Sequence, residues 1–272
     1  MEPQSIEKIV SLAIAAQGHM PIKFDSTASI AIIPNDFGLH STEKFNQNRD
    51  RFRGRFTTFS IEAFIAYVSD RQIEGIKSFI STNNGLSAET VFNIGDKNTP
   101  GHADDLAILL LEKQPEFQAL ERVNGKRFSQ QDVIDWFDDW ADFVSARNDQ
   151  GEIPFEKAVR ALRKVSIGRS RDVDSNVRDM GVTLSVTEQA EAKGVDEDLP
   201  AYFVVKTESF KGLPVEELKL SLRISVSDDV PTFILRFIGE DAHTQRRSNQ
   251  FIEILENRLK GLGEFYQGAF KA

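Results

Sequence analysis

Cysteine is absent from this chain of 272 residues, and so are a Gly-x-Ser-x-Gly elbow, a glycine-rich phosphate loop and a dinucleotide fingerprint. The missing thiols exclude disulfides, thiolate metal sites and cysteine nucleophiles. The missing motifs exclude most enzymes that such signatures identify. No apolar run approaches the roughly 20 residues that span a bilayer, so we expect no membrane partner. Together these absences favour a protein that is not an enzyme and holds no cofactor.

The charge balance of the chain is acidic, since 33 basic residues stand against 42 acidic ones and give a formal net charge of -9. This balance argues against a general coat for nucleic acid, so any binding of polyanions is expected to be local. The composition shifts near residues 146–153. We therefore predict an N-terminal half at 1–148 and a C-terminal half at 149–272, which form either two domains or one continuous domain.

Hydrophobic periodicity predicts an α+β fold, in which antiparallel sheets built from hairpins and meanders are flanked by amphipathic helices. Asn84 followed by Gly85 is the strongest hairpin signal, because both residues tolerate positive φ. Leucines alternate with polar residues from Leu218 onward, which predicts a strand with one solvated face. The predicted helices lie at 5–16, 61–71, 129–144, 154–164 and 242–259. The predicted strands lie at 29–33, 49–59, 77–82, 88–94, 106–111, 182–187, 202–207, 218–226 and 233–238.

One short segment carries an arginine at every second position: Arg49, Arg51, Arg53 and Arg55. Side chains on a β-strand alternate between its faces, so a strand here would project all four guanidinium groups from one face. Such a row can bind phosphates, with Phe52 and Phe56 close enough to stack on bases. The alternative is that the arginines pair with carboxylates of this chain or of a second subunit. A second basic cluster, with a solvated face as its alternative interpretation, comprises Arg160, Arg163, Lys164, Arg169 and Arg171.

Two acidic groups suggest a metal site at first sight. His102, Asp104 and Asp105 resemble part of a hydrolytic metal site, but the sequence offers no second cluster of ligands for them. A row of aspartates recurs at helical spacing along an outward face and does not converge on a point. That row comprises Asp132, Asp135, Asp138, Asp139 and Asp142. We therefore predict no metal site.

The chain contains 21 phenylalanines, and its C-terminal tail carries Phe265, Tyr266 and Phe270. We expect this aromatic tail to dock on its own chain or on a neighbouring subunit. The first functional hypothesis is a non-enzymatic accessory protein that self-associates as a homo-oligomer and binds a macromolecular partner. A nucleic-acid-binding protein that uses the arginine-rich strand is the alternative. An unfamiliar hydrolase or nucleotide-binding enzyme ranks last.

The order of several short motifs resembles the YfdQ-like family of uncharacterised phage and prophage proteins, over about residues 30–259. The motifs are Ile32, Ile33 and Pro34, then Arg51, Arg53 and Gly54, then Ala63, Phe64, Tyr67 and Val68, then Ser129, Gln130 and Gln131, and finally Leu199, Pro200, Tyr202, Phe203, Phe210 and Gly212. The resemblance implies a phage-encoded protein in the cytoplasm of the host cell. Its expected partner is a host or phage protein, or nucleic acid, in counter-defence or DNA metabolism.

Overall fold

The computed structural model describes residues 7–8, 11–13, 30–31, 40–41, 43–71, 73–83, 85–148, 150–163, 184–185, 200–227 and 230–271. Three members of the second basic cluster lie outside these residues: Lys164, Arg169 and Arg171. Most of the predicted helix at 5–16 and of the predicted strands at 29–33 and 182–187 also lies outside them.

The chain forms an α+β fold, as the periodicity predicts. Its strands are β1 (Ile30–Ala31), β2 (His40–Ser41), β3 (Gly54–Thr58), β4 (Lys77–Ser81), β5 (Ser87–Val91), β6 (Asp105–Leu110), β7 (Arg127–Phe128), β8 (Val144–Asn148), β9 (Gly151–Ile153), β10 (Leu184–Ser185), β11 (Tyr202–Glu208), β12 (Val215–Ser227), β13 (Val230–Phe237) and β14 (Glu264–Gln267). Its helices are α1 (Ile61–Arg71), α2 (Pro115–Val123), α3 (Gln130–Asp139), α4 (Phe155–Arg163) and α5 (Glu240–Arg258). Short 3-10 turns occur at Glu43–Phe45 and Ala141–Phe143.

β1 and β2 pair as a short antiparallel ribbon, and the other strands form two main sheets. The smaller main sheet, called the smaller sheet below, has five strands in the order β14-β4-β5-β6-β3. β3 runs parallel to β6 and β14 runs parallel to β4, whereas the two central pairings are antiparallel. The hairpin of β4 and β5 confirms the predicted turn, since Ser81 pairs with Ser87 across it. Gly85 adopts a φ of 110°, in the left-handed region that favours glycine.

The larger sheet is antiparallel and has the order β7-β13-β12-β11-β8-β9, with β10 paired to β12. In β12 the side chains of Leu218, Leu220 and Leu222 are buried, while Lys219 between them is exposed. This confirms the predicted strand with one solvated face. The pairing of β12 with β13 closes the predicted hairpin.

One cluster of buried side chains joins the inner faces of the two main sheets to helices α1 to α5. Aromatic packing dominates its centre: the ring centroids of Phe137 on α3 and Phe203 on β11 lie 4.1 Å apart. Burying one such ring contributes roughly 1.5–3 kcal/mol. The largest fully buried aromatic side chains are Phe64, Phe117, Phe137, Phe203, Phe233 and Phe251.

Helix α3 begins as predicted, because Ser129 and Asp132 form a capping box in which each side chain accepts the other's backbone N–H. Its predicted extension to Val144 is wrong, since the helix ends at Asp139. Val144 instead starts β8 and pairs with Val205 of β11. Pairing with a distant strand therefore overrides the local helical pattern.

Both sheets combine strands from before and after residue 149. β8 and β9 pair across this position, and β14 completes a sheet whose other strands precede it. The proposed halves at 1–148 and 149–272 thus share their sheets, and their division into domains stays a prediction. In the described part of the chain, no helix combines the length and apolar character needed to cross a membrane.

Candidate interaction surfaces

The arginine-rich segment is mostly a turn and not the predicted strand. β3 begins only at Gly54, so three of the four arginines precede it. Arg49, Arg51 and Arg53 lie in or beside bends, and Arg55 alone lies on the strand. The predicted row of four guanidinium groups on one strand face is therefore wrong.

Short-range hydrogen bonds explain why the chain turns at this point. The N–H of Asn46 donates to the carbonyl of Glu43 at 3.0 Å, and the Asn46 side chain donates to Asp50 at 3.1 Å. The N–H of Asp50 in turn donates to the Glu43 carboxylate at 3.1 Å. Asn and Asp side chains that bond to nearby groups favour turns over strands. We call residues 43–53 the arginine turn.

Two arginines of this turn form ion pairs with carboxylates of their own chain. Arg53 donates both terminal nitrogens to Glu43, and the hydrogen bond from Arg53 holds the pKa of Glu43 below its usual value. Arg51 likewise donates to Asp104, and its hydrogen bond lowers the pKa of Asp104. The exposed side chains of Arg49 and Arg55 have no carboxylate within hydrogen-bond distance among the described residues. The binding role of the four arginines stays a prediction.

Beside the arginine turn, Arg71 at the end of α1 forms a buried ion pair with Asp105 at the start of β6. The Arg71 guanidinium carbon lies 3.9 Å from the ring centroid of Phe52 and 4.9 Å from that of Phe92. Burial raises the pKa of Asp105, and the charge of Arg71 partly offsets this shift. The Asn93 side chain accepts the N–H of Asp105 at 3.0 Å. This arrangement fixes the end of α1 to the start of β6.

The acidic groups considered for a metal site have other neighbours. Asp104 and Asp105 face Arg51 and Arg71. The aspartates of the predicted row are all exposed, as predicted: Asp132, Asp135, Asp138 and Asp139 on α3, and Asp142 in the 3-10 turn that follows it. Within the described ranges, no group of three or more His, Cys, Asp and Glu side chains is arranged to hold a metal ion.

The described part of the second basic cluster lies on α4. Arg163 pairs with Asp138 of α3 at 3.0 Å, and both side chains are more than half exposed. Arg160 and Arg163 line an open cleft of about 360 Å³ together with the apolar side chains of Phe155 and Val159. A binding role for these two arginines also stays a prediction.

The aromatic tail docks on its own chain as β14. Phe265 faces inward and packs against the core, whereas Tyr266 and Phe270 lie on the opposite face. Their rings stack on Phe79 of β4, with centroid distances of 5.5 Å and 4.9 Å. Gly263 permits this docking, because a Cβ there would lie 2.4 Å from the carbonyl oxygen of Ile76. An interface role for the three aromatic residues stays a prediction.

The face of the smaller sheet that points away from the core is largely apolar and accessible. Register places Tyr266, Phe79, Glu89, Ile108 and Thr57 side by side across the five strands, and each is partly or fully exposed. We call these five residues, with the adjacent Phe270 and Leu110, the outer face. Leu110 is 42% exposed and Tyr266 43% exposed. At one end of the same side of the sheet, Val91 and Leu106 are buried.

Helix α5 carries a buried polar network that the sequence reasoning missed. Arg247 donates to the Glu216 carboxylate and to the Ser209 hydroxyl, each at 3.1 Å. His243 Nδ1 lies 2.8 Å from the other Glu216 oxygen. Burial alone would raise the pKa of Glu216, but hydrogen bonds from Ser209, His243 and Arg247 lower it overall. The network therefore fixes α5 against β12 and against Ser209, the residue that follows β11.

This network contains Ser, His and Glu but differs from a nucleophilic triad. In a triad, histidine lies between the serine and the carboxylate and takes the hydroxyl proton. Here Glu216 lies between Ser209 and His243, so the arrangement is suited to structural support. The sequence does contain a signal for burial of Arg247. This residue lies one helical turn before the apolar Phe251 and therefore shares its inward face.

Comparison with known proteins gives the chain a family. Residues 2–270 match the model of the family described as "Uncharacterized conserved protein (DUF2303)". The chain belongs to the DUF2303 family. This DUF2303 membership agrees with the expectation of an uncharacterised family. No curated protein and no solved structure matches the chain.

Proposed function

We propose that this DUF2303 protein is a non-enzymatic accessory protein that self-associates and binds a macromolecular partner through the outer face. The observation that carries the proposal is the stacked cluster of Phe79, Tyr266 and Phe270. These rings remain accessible although a paired sheet holds them in place. Aromatic residues are enriched at protein interfaces, because they bury a large area at a small cost in conformational entropy.

Sedimentation velocity at several concentrations tests the self-association. We expect the weight-average sedimentation coefficient of the full chain to rise with concentration. A double replacement, Tyr266→Ala with Phe270→Ala, should weaken this rise, since it removes two rings of the cluster. Phe143→Ala is the matched control, because this residue is 37% exposed and lies outside the outer face. A chain that stays monomeric at every concentration would contradict the proposal.

We further propose that the protein is encoded by a phage, lies in the cytoplasm of the host cell and acts in counter-defence or DNA metabolism. The support for a phage origin and a cytoplasmic location is the likeness of its motif order to the YfdQ-like family. Capture of the tagged chain from infected cells, followed by mass spectrometry, identifies a host or phage partner. The same capture with the Tyr266→Ala and Phe270→Ala chain is the control. A partner retained equally by both chains would contradict binding through the outer face.

Nucleic-acid binding is the second candidate, and one observation favours it: Phe52 is 60% exposed between the exposed residues Arg49 and Arg55. Bases can stack on such a ring while guanidinium groups contact phosphates. We expect Arg49→Ala with Arg55→Ala to weaken retardation of single-stranded DNA or RNA in gels, and added salt to weaken it further. No retardation of either nucleic acid at low salt would exclude this candidate.

A further inference from the structure

Two opposite charges of the smaller sheet lie on the same side, where the charge of Arg55 acts on Glu89 within one chain but forms no direct ion pair with it among the described residues. Arg55 of β3 is exposed, and Glu89 of β5 is half-buried. Across the ranges that the structure describes, neither side chain forms an ion pair or a hydrogen bond. A cation and an anion that are both available on one face make that face complementary to itself.

The surroundings of Glu89 increase the benefit of an external cation. Its cross-strand neighbours are Phe79 on one side and Ile108 on the other. Burial raises the pKa of Glu89, and the charge of Arg55 only partly opposes this shift. A carboxylate that is partly removed from water without a counter-ion in direct contact costs free energy, and an opposite charge brought against it from outside offsets this cost.

The positions of these charges suit a two-fold axis. β6 lies between β3 and β5, and Ile108 of β6 pairs with Thr57 on one side and Glu89 on the other. Consider two copies whose outer faces pack together, with a two-fold axis that runs parallel to β6 midway between the two sheets. This axis places β3 of each copy opposite β5 of the other. Arg55 precedes Thr57 by two residues, which offsets it by about 6.7 Å along the strand. An extended arginine side chain covers such an offset.

We infer that two copies of this chain pack through their outer faces about a two-fold axis along β6, with Arg55 of each copy paired to Glu89 of the other. Ile108 and Leu110 then meet their own counterparts near the axis, as self-complementary interfaces require. The inference rests on the proposed self-association and specifies the surface and the partner, which is a second copy.

Charge reversal tests the inference with the full chain in sedimentation velocity. Arg55→Glu alone places two negative side chains against each other at both symmetry-related contacts of the dimer. Glu89→Arg alone does the same with two positive side chains. We expect each variant to dimerise at least about tenfold more weakly than the unchanged chain. An equimolar mixture of the two variants should regain association, because both contacts of a mixed dimer again join opposite charges, one pair in the original sense and the other with its signs exchanged. Regain in the mixture can arise only from contacts between chains.

Controls separate this inference from the proposed function. Arg122→Glu on α2 and Glu253→Arg on α5 reverse exposed charges on other elements and should leave association unchanged. If the unchanged chain is monomeric, the proposed self-association fails. If it associates but the single reversals do not weaken it, or the mixture does not regain association, only this inference is overturned. Should a reversal fail to fold, Arg55→Gln and Glu89→Gln must each weaken association for the inference to stand.

Discussion

Arg71 and Asp105 form a buried ion pair that fixes the end of helix α1 to the start of strand β6. Asp105 is only 2% exposed, and the guanidinium group of Arg71 lies against the rings of Phe52 and Phe92. The pair therefore connects a helix, the smaller sheet and the arginine turn. Loss of one partner leaves the other charge buried without compensation.

Arg71→Ala is expected to lower the free energy of unfolding by roughly 3 kcal/mol, because it leaves the Asp105 carboxylate unpaired in a buried position. Urea unfolding at neutral pH measures the change. Arg258→Ala is the matched control, since Arg258 and Glu62 form a pair whose side chains are 49% and 71% exposed. The control should show no measurable change. Equal losses for both variants would contradict a special role for the buried pair.

The network around Glu216 predicts a dependence of stability on pH. The folded-state pKa of Glu216 is lowered from its ordinary value of 4.5. Ionised Glu216 therefore stabilises the fold fully above pH 4.5, and this contribution is lost as the pH falls through the folded-state pKa.

Glu216→Gln should be less stable at neutral pH by roughly 3 kcal/mol, because Arg247 loses its counter-ion. Below pH 4.5 the variant should lose stability less steeply than the unchanged protein. Urea unfolding at a series of pH values measures both free energies of unfolding. If these fall in parallel with pH for the variant and the unchanged protein, the prediction is wrong.

Gly263→Ala should release the aromatic tail, since the added Cβ would lie 2.4 Å from the backbone oxygen of Ile76. We expect faster deuterium uptake at residues 264–267 and faster proteolysis of the tail. Gly54→Ala is the matched control, because a Cβ there has its nearest neighbour 3.8 Å away, on the Phe52 ring. Unchanged uptake at residues 264–267 in the Gly263 variant would show that the strand tolerates the contact.

Ser129→Ala removes the cap of α3 and is expected to cost about 1 kcal/mol. For a protein of this size the melting temperature should fall by about 2–4 °C. Ser129→Asn should melt close to the unchanged protein, because asparagine caps helices as well as serine does. If both variants lower the melting temperature equally, loss of the hydrogen bond between the Ser129 hydroxyl and Asp132 is not the cause of the lower stability.

The elements predicted correctly are those whose signals lie within about ten residues. The turn at Gly85, the cap at Ser129 and the leucine alternation of β12 each depend on neighbours along the chain. β8, which pairs with the distant β11, was missed, and so was β9, which is three residues long and pairs with β8. Helix α2 was also missed, although Pro115 in its first turn is a known start signal.

The arginine segment shows why alternation alone is not sufficient. Its period of two residues fits a strand, but Glu43 and Asp104 supply partners that the local pattern does not contain. Of the candidate sites, the docking of the aromatic tail was foreseen as one of two options. The buried network was not, because Glu216 and Arg247 are separated by 31 residues and charged residues are usually read as solvated.

The late position of β14 in the sequence has a consequence for biosynthesis. Chains are made from the amino terminus, so β4 leaves the ribosome well before residues 264–267 exist. Until then β4 is an unpaired edge strand of the smaller sheet, and its residue Phe79 lacks both rings that later stack on it. A nascent chain therefore cannot display the finished aromatic cluster until translation reaches the tail.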